Sequence, residues 1–148
     1  MAVIIFLFVL SYLIPFLFNI ALLALGLLAC LLLLDWLVLY AKRNPVSVVR
    51  TLPEKMSNGD GNIISWDITN HYNFRARLLL LDEFPESWQI RDFKMNSLLE
   101  SEENAKLQYT VYPKERGEYF FGNVYVFIRS PLQFIIRRKT FYLSLIHI

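Results

Sequence analysis

The side chains that could do chemistry are few, and their spacing does not assemble a familiar machine. The sequence holds two histidines, His71 in a turn-rich stretch and His147 beside the last residue. Neither a histidine-based metal site nor a Ser-His-Asp arrangement has its usual parts. The single cysteine, Cys30, excludes an intrachain disulfide and a cysteine-based zinc site. Glu100, Glu102 and Glu103 are closely spaced acids in a polar run, which reads as a solvated loop rather than a general acid/base pair. Arg116 and Gly117 could hold an anion through backbone donors and a guanidinium, although a tight turn whose arginine crosses to a neighbouring strand is the favoured reading. Phosphate-cradling loops, dinucleotide fingerprints and nucleophile elbows are missing from the sequence. The expectation is a non-enzyme with no catalytic residue, no cofactor and no metal.

The elements that carry these residues fall into two compositional halves. All 15 lysines and arginines lie from Lys42 onward, and Asp35 is the only acid before them. The net charge of +2 over 148 residues is too small for a nucleic-acid partner, which needs several basic side chains gathered on one face. The clusters Lys42–Arg43 and Arg137–Arg138–Lys139 read as membrane-flanking or solvated runs.

From Ala2 to Leu34 there is no charged side chain, and the apolar character resumes after Asp35. One helix over this stretch would be nearly twice the ~30 Å hydrocarbon thickness, so two passes are expected. A turn between Pro15 and Asn19 gives helices Ala2–Phe18 and Ile20–Ala41. A single tilted helix kinked at Pro15 is the alternative. The basic leader of a cleaved signal peptide is missing, and the apolar run is too long for one. Trp36 and Tyr40 sit four apart at the expected interface, followed at once by Lys42 and Arg43. Asp35 falls close enough to that interface to reach water or a headgroup. The positive flank places the following domain in the cytoplasm.

After Pro45 the pattern turns to short alternating runs between turn signals. Strands are expected over Val46–Leu52, Asn62–Asn70, Arg75–Asp82, Trp88–Phe93, Leu107–Tyr112, Tyr119–Arg129 and Leu132–Phe141, with Ser97–Asn104 a solvated loop. Ile64, Trp66 and Ile68 share one face and Ser65, Asp67 and Thr69 the other. Trp66, Phe84, Trp88, Tyr109, Tyr119, Phe121 and Phe127 are read as core. About seven strands without a helix among them predict an immunoglobulin-like, all-β sandwich over residues 42–141, anchored by a membrane α-helical hairpin over 1–41.

Several of these residues form a recognisable set. Leu34-Asp35-Trp36, Leu52-Pro53, Met56 to Asp60, Asp82-Glu83-Phe84-Pro85, the stretch RGEYFFG (Arg116, Gly117, Glu118, Tyr119, Phe120, Phe121, Gly122) and RSPL (Arg129, Ser130, Pro131, Leu132) together resemble the N-terminal part of the domain of unknown function 58 family. These are bacterial membrane proteins associated with MoxR-type AAA+ ATPases. The last two stretches look like the family's RGxYxFG and SPLG signatures, with Gln133 in place of the glycine. The resemblance covers the chain to about Phe141. It implies a bacterial inner-membrane location, a MoxR-type ATPase and envelope proteins as partners, and a von Willebrand factor A-like domain after the β region. The Asp-x-Ser-x-Ser motif of that domain does not occur in this sequence, and residues 142–148, ending LSLIHI, read as a non-native tail on a truncated frame.

The expected function is thus a non-enzymatic, membrane-anchored interaction module. A small enzyme or ligand-binding protein with a cleft between β domain and bilayer stays open, with Asp35, His71 and Arg116 its candidate polar groups. So does a periplasmic, adhesive sandwich.

Overall fold

The computed structural model describes all residues except 1, 54, 86–87, 89, 91–92, 114–118 and 143–148. The expectations for Arg116, Gly117, His147 and most of the tail lie outside the described residues. Two compact units divide at the charge step: Met1–Ala41 and Lys42–Ile148.

The first unit holds α1 (Ala2–Leu10) and α2 (Phe16–Tyr40). The turn falls ahead of Pro15 rather than after it, which corrects the expected helices. Pro15 is the N-cap of α2 with φ −57°, and an N-terminal proline gives up an N–H that needs no helical partner. On the other side, the Ser11 hydroxyl donates to Phe8 O at 2.6 Å, satisfying a carbonyl that the ending helix leaves open. The helices touch through an edge-to-face contact of Phe8 with Phe18, centroids 6.0 Å apart. Nine residues give α1 a length of ~14 Å, under half of a hydrocarbon core, whereas the 25 residues of α2 give ~37 Å. Among the described residues α2 alone is long and apolar enough to cross a membrane; the first of the two expected spanning helices corresponds to the short α1.

The second unit is a sandwich of seven strands: β1 (Val46–Thr51), β2 (Asn62–Asn70), β3 (Ala76–Asp82), β4 (Lys94–Leu99), β5 (Asn104–Val111), β6 (Val124–Arg129) and β7 (Ile136–Phe141). One sheet has the order β1-β2-β5, the other β4-β3-β6-β7, and every pairing is antiparallel. This is an immunoglobulin-like strand order in which β4 pairs with β3 instead of joining the first sheet. The inner faces supply the core: Ile64, Trp66 and Ile68 from β2, Leu78 and Leu80 from β3, and Val124, Val126 and Ile128 from β6 are all fully buried.

Four expected strands change, one of them at its start, since β5 begins at Asn104 rather than Leu107. Trp88 is not in a strand; its N–H donates to Pro85 O. The strand lies further on, in part of the expected acidic loop, where Lys94–Leu99 pairs with Ala76–Leu81. Tyr119–Asn123 precedes β6 without joining it, and the last strand begins at Ile136 rather than Leu132.

Candidate functional site

The chemistry of the sandwich concentrates in a buried polar cluster that joins the sheets. By strand alternation Arg50 follows Val46 and Val48 onto the inner face of β1, Asp82 follows Leu78 and Leu80 on β3, and Tyr109 lies inward on β5. A buried charge must find a partner. Arg50 Nη1 meets Asp82 Oδ1 at 2.6 Å, Tyr109 Oη donates to Asp82 Oδ2 at 2.5 Å, and Arg50 Nη2 donates to Gly122 O at 3.2 Å. The Arg50 and Asp82 side chains are 3% and 0% exposed. Burial pushes the Asp82 carboxyl above the usual carboxylate range, against the lowering effect of Arg50 and of the Tyr109 hydrogen bond. Burial first, and then the neighbouring Asp82 charge, raises the Tyr109 phenol as well.

An aromatic cluster surrounds this tie. The Arg50 guanidinium lies 5.0 Å from the Phe121 centroid. Phe84 stacks on Trp88 at 5.8 Å, Trp88 meets Tyr119 at 5.0 Å and Phe121 at 5.4 Å, and Trp66 meets Tyr109 at 5.3 Å. Tyr119 and Phe121 join this ring cluster at intermediate burial, outside the fully buried core expected of them. The arrangement ties two sheets together: each Asp82 oxygen accepts a close hydrogen bond from a side chain of the other sheet, and the surrounding side chains are rings.

Gly122 owes its identity to Glu83. A Cβ there would stand 2.5 Å from Glu83 Oε2 and 2.6 Å from Glu83 Cβ. Gly122 N donates to Glu83 O and Glu83 N to Asn123 O, which extends the β3–β6 pairing beyond its last residues. The Glu83 carboxylate accepts from Asn123 N and from Tyr125 Oη, each at 2.8 Å. Ser130 shapes the next connection. Its Oγ accepts from Ile135 N at 3.1 Å and its carbonyl from Gln133 N at 3.0 Å. Pro131 and Leu132 are exposed on that loop, and Gln133 takes φ +63°, a conformation that glycine adopts without strain.

Of the expected interface residues, Trp36 and Tyr40 do share a helical face, stacked at 5.4 Å. Asp35 is buried at 2% exposure, not open to water as expected. Members of both basic clusters also make contacts within the sandwich. Lys42 Nζ donates to His71 O and to Asn73 Oδ1, the latter at 2.8 Å. Arg137 donates to the carbonyls of Lys42 (2.9 Å) and Arg43 (3.4 Å), and Arg138 lies over the Tyr125 ring. His71 meets Ser47 Oγ at 3.1 Å as part of the same turn. Fully buried Asn70 pins it, donating to Phe74 O (3.0 Å) and Glu100 O (2.7 Å) and accepting from Tyr72 N (3.0 Å). Asp35 belongs to the helical unit and His71 to the sandwich, while Arg116 lies outside the described residues. No group of metal-ligating side chains gathers among the described residues.

No family model and no curated protein matches the chain. Among solved structures, the PapD-like domain 7 of human CEP192 aligns at 18% identity over 68% of this chain and 82% of that one, with a TM-score of 0.49. A β-glucosidase from Listeria innocua, solved with gluconolactone, aligns at 10% identity over 67% of this chain and 16% of the enzyme, TM-score 0.31. The β-glucosidase EmGH1 from Erythrobacter marinus gives 14% identity, 67% and 16% coverage and the same score of 0.31.

Proposed function

We propose that the chain is a non-enzymatic, membrane-anchored interaction module in which α2 crosses the bilayer and the sandwich stands on the cytoplasmic side, offering its edges and outer faces to a protein partner. The observation that carries this reading is α2 itself. It is 25 residues long, and it leaves Leu22, Leu23, Leu27, Leu33 and Leu34 at least half exposed. A helix apolar all round finds its solvent in lipid. With one crossing, the short α1 lies near the far interface, and the start of the chain is on the side opposite the sandwich. Lys42 and Arg43 directly after α2 support the cytoplasmic placement of the sandwich.

The two sheets leave β1, β5, β4 and β7 as edges, and an edge strand can pair with an extended segment of another chain. The resemblance to the domain of unknown function 58 family supplies the partner class, a MoxR-type AAA+ ATPase acting on envelope complexes at the bacterial inner membrane. Two measurements test this. A cysteine introduced at Ser101 should react with a membrane-impermeant maleimide only after cells are opened; labelling in intact cells refutes the cytoplasmic side. Cross-linked membranes should yield the ATPase with the affinity-tagged chain, and recovery of the chain with no ATPase refutes the partner.

A further inference from the structure

The outer face of the four-stranded sheet carries a feature that packing does not explain. Arg77 on β3 and Arg129 on β6 are direct register partners, both exposed. Directly opposed residues place their Cβ atoms about 4.5–5.5 Å apart, and like charges there destabilise the sheet. Their row continues with apolar Leu98 on β4 and Ile136 on β7, so the strands on either side bring no carboxylate to it. Among the described residues neither arginine has an ion pair. Arg77 Nη1 only reaches the neutral Gln133 Oε1 at 3.3 Å. Both arginines line a groove of about 340 Å³, together with Arg75, Leu98, Ser130 and Gln133. Arg75 is held at the rim by Glu100, Nε to Oε1 at 2.8 Å, with both side chains more than half exposed.

We infer that this groove binds a phosphate-class oxyanion, clamped between the guanidinium groups of Arg77 and Arg129. Each guanidinium presents a planar fork of N–H donors that matches two oxygens of one anion. Two forks on neighbouring strands offer more donors than a carboxylate has oxygens, and their joint charge is matched by a dianion and only half matched by a monoanion. The volume is near the lower end of the about 300–1,000 Å³ typical of small-molecule sites, leaving space for a small group esterified to the phosphate. A free phosphate compound and a lipid headgroup share this chemistry.

The test uses the full chain in phosphatidylcholine nanodiscs, with inorganic pyrophosphate as the soluble probe and replacement of part of the lipid by phosphatidic acid, whose headgroup is a phosphomonoester, as the other. Binding is followed by calorimetry and by protection of Arg77 and Arg129 from phenylglyoxal. Saturable pyrophosphate binding that protects both arginines identifies a soluble source; protection by phosphatidic acid alone identifies a headgroup. The double variant Arg77→Gln/Arg129→Gln should weaken binding about tenfold or more, a loss of ~1.4 kcal/mol. Lys106→Gln, on the other sheet, should leave it unchanged. Arg129→Gln alone should raise the melting temperature in the absence of anions, since it removes the repulsion, a gain that a stabilising arginine would not give. Absence of protection by both probes, binding of citrate or of polyglutamate as tight as that of pyrophosphate, or equal weakening by Lys106→Gln overturns the assignment.

Discussion

Replacing Arg50 by methionine isolates the buried tie, because methionine keeps most of the stem and removes the charge. The variant leaves Asp82 with Tyr109 as its remaining side-chain donor, at 2.5 Å. Breaking a buried pair by deleting one partner costs about 3–5 kcal/mol, since the other charge stays desolvated. Loss of the guanidinium over Phe121 adds ~0.5–1 kcal/mol at any pH. The larger part is titratable. Burial already raises the Asp82 carboxyl above its usual value of 3.8, and Arg50 is the chief opposing influence. Without Arg50 the carboxyl rises further and takes up a proton instead of remaining a lone buried anion. A carboxyl raised in the folded state contributes stability that is complete below its unfolded pKa and is lost as pH climbs through the folded value. The variant's deficit therefore grows with pH, at no more than about 1.4 kcal/mol per unit. In detergent micelles, guanidinium unfolding of the sandwich followed by tryptophan fluorescence should show a small deficit near pH 5 and about 3 kcal/mol or more near pH 8. Adding Asp82→Asn, which keeps an acceptor for Tyr109 but removes the charge, should recover most of the loss at the higher pH and abolish the pH dependence. A deficit under about 1 kcal/mol near pH 8, or one that is the same at both pH values, refutes the reasoning.

Four further substitutions, three at strand connections and one within α2, are read by thermal unfolding. Gly122→Ala drives a Cβ into Glu83 and should cost about 1–3 kcal/mol, whereas Gly26→Ala, with open space around it, should be neutral or slightly stabilising. Gln133→Gly relieves the φ of +63° and should gain up to about 1 kcal/mol after the entropy of glycine is deducted; a loss would mean that its contact with Arg77 matters more than the backbone. Asn70→Ala removes both donors and the acceptor that fasten the 70–74 turn, and should lower stability by about 2–4 kcal/mol.

What could be read from the sequence followed the strength of the alternation. β2 runs over Asn62–Asn70, as its pattern requires, because Ile64, Trp66 and Ile68 share one face and a slip of one residue would expose Trp66. β1 and β3 differ from expectation by single residues at their ends. β4 was hidden because it is an edge strand whose inner face mixes Met95 and Ser97 with Leu99, so polarity read as a loop. The helix break was misplaced because Pro15 and Asn19 are equally plausible turn residues by type, and only the capping geometry separates them. The buried tie was legible in principle: period two sends both Arg50 and Asp82 inward, and two opposite charges sent inward from different sheets require each other. That Tyr109 completes the set depends on the register between sheets, which no local pattern encodes.

The residues that suggested a family have a physical role that bears on where a partner could dock. Gly122 is fixed by Glu83, Ser130 by the turn it caps, and Phe121 and Tyr119 by the aromatic cluster. Asp82 is fixed by Arg50 and Tyr109. Most of these positions hold the sandwich together and present little to solvent, so a sequence pattern built on them marks a fold more directly than a contact surface. A partner or ligand must meet side chains that the fold can spare. On the outer face of the second sheet, Arg77 and Arg129 oppose each other at a cost to the sheet and serve no packing need. An arrangement that a sheet tolerates without benefiting from it is the more economical place to look for function.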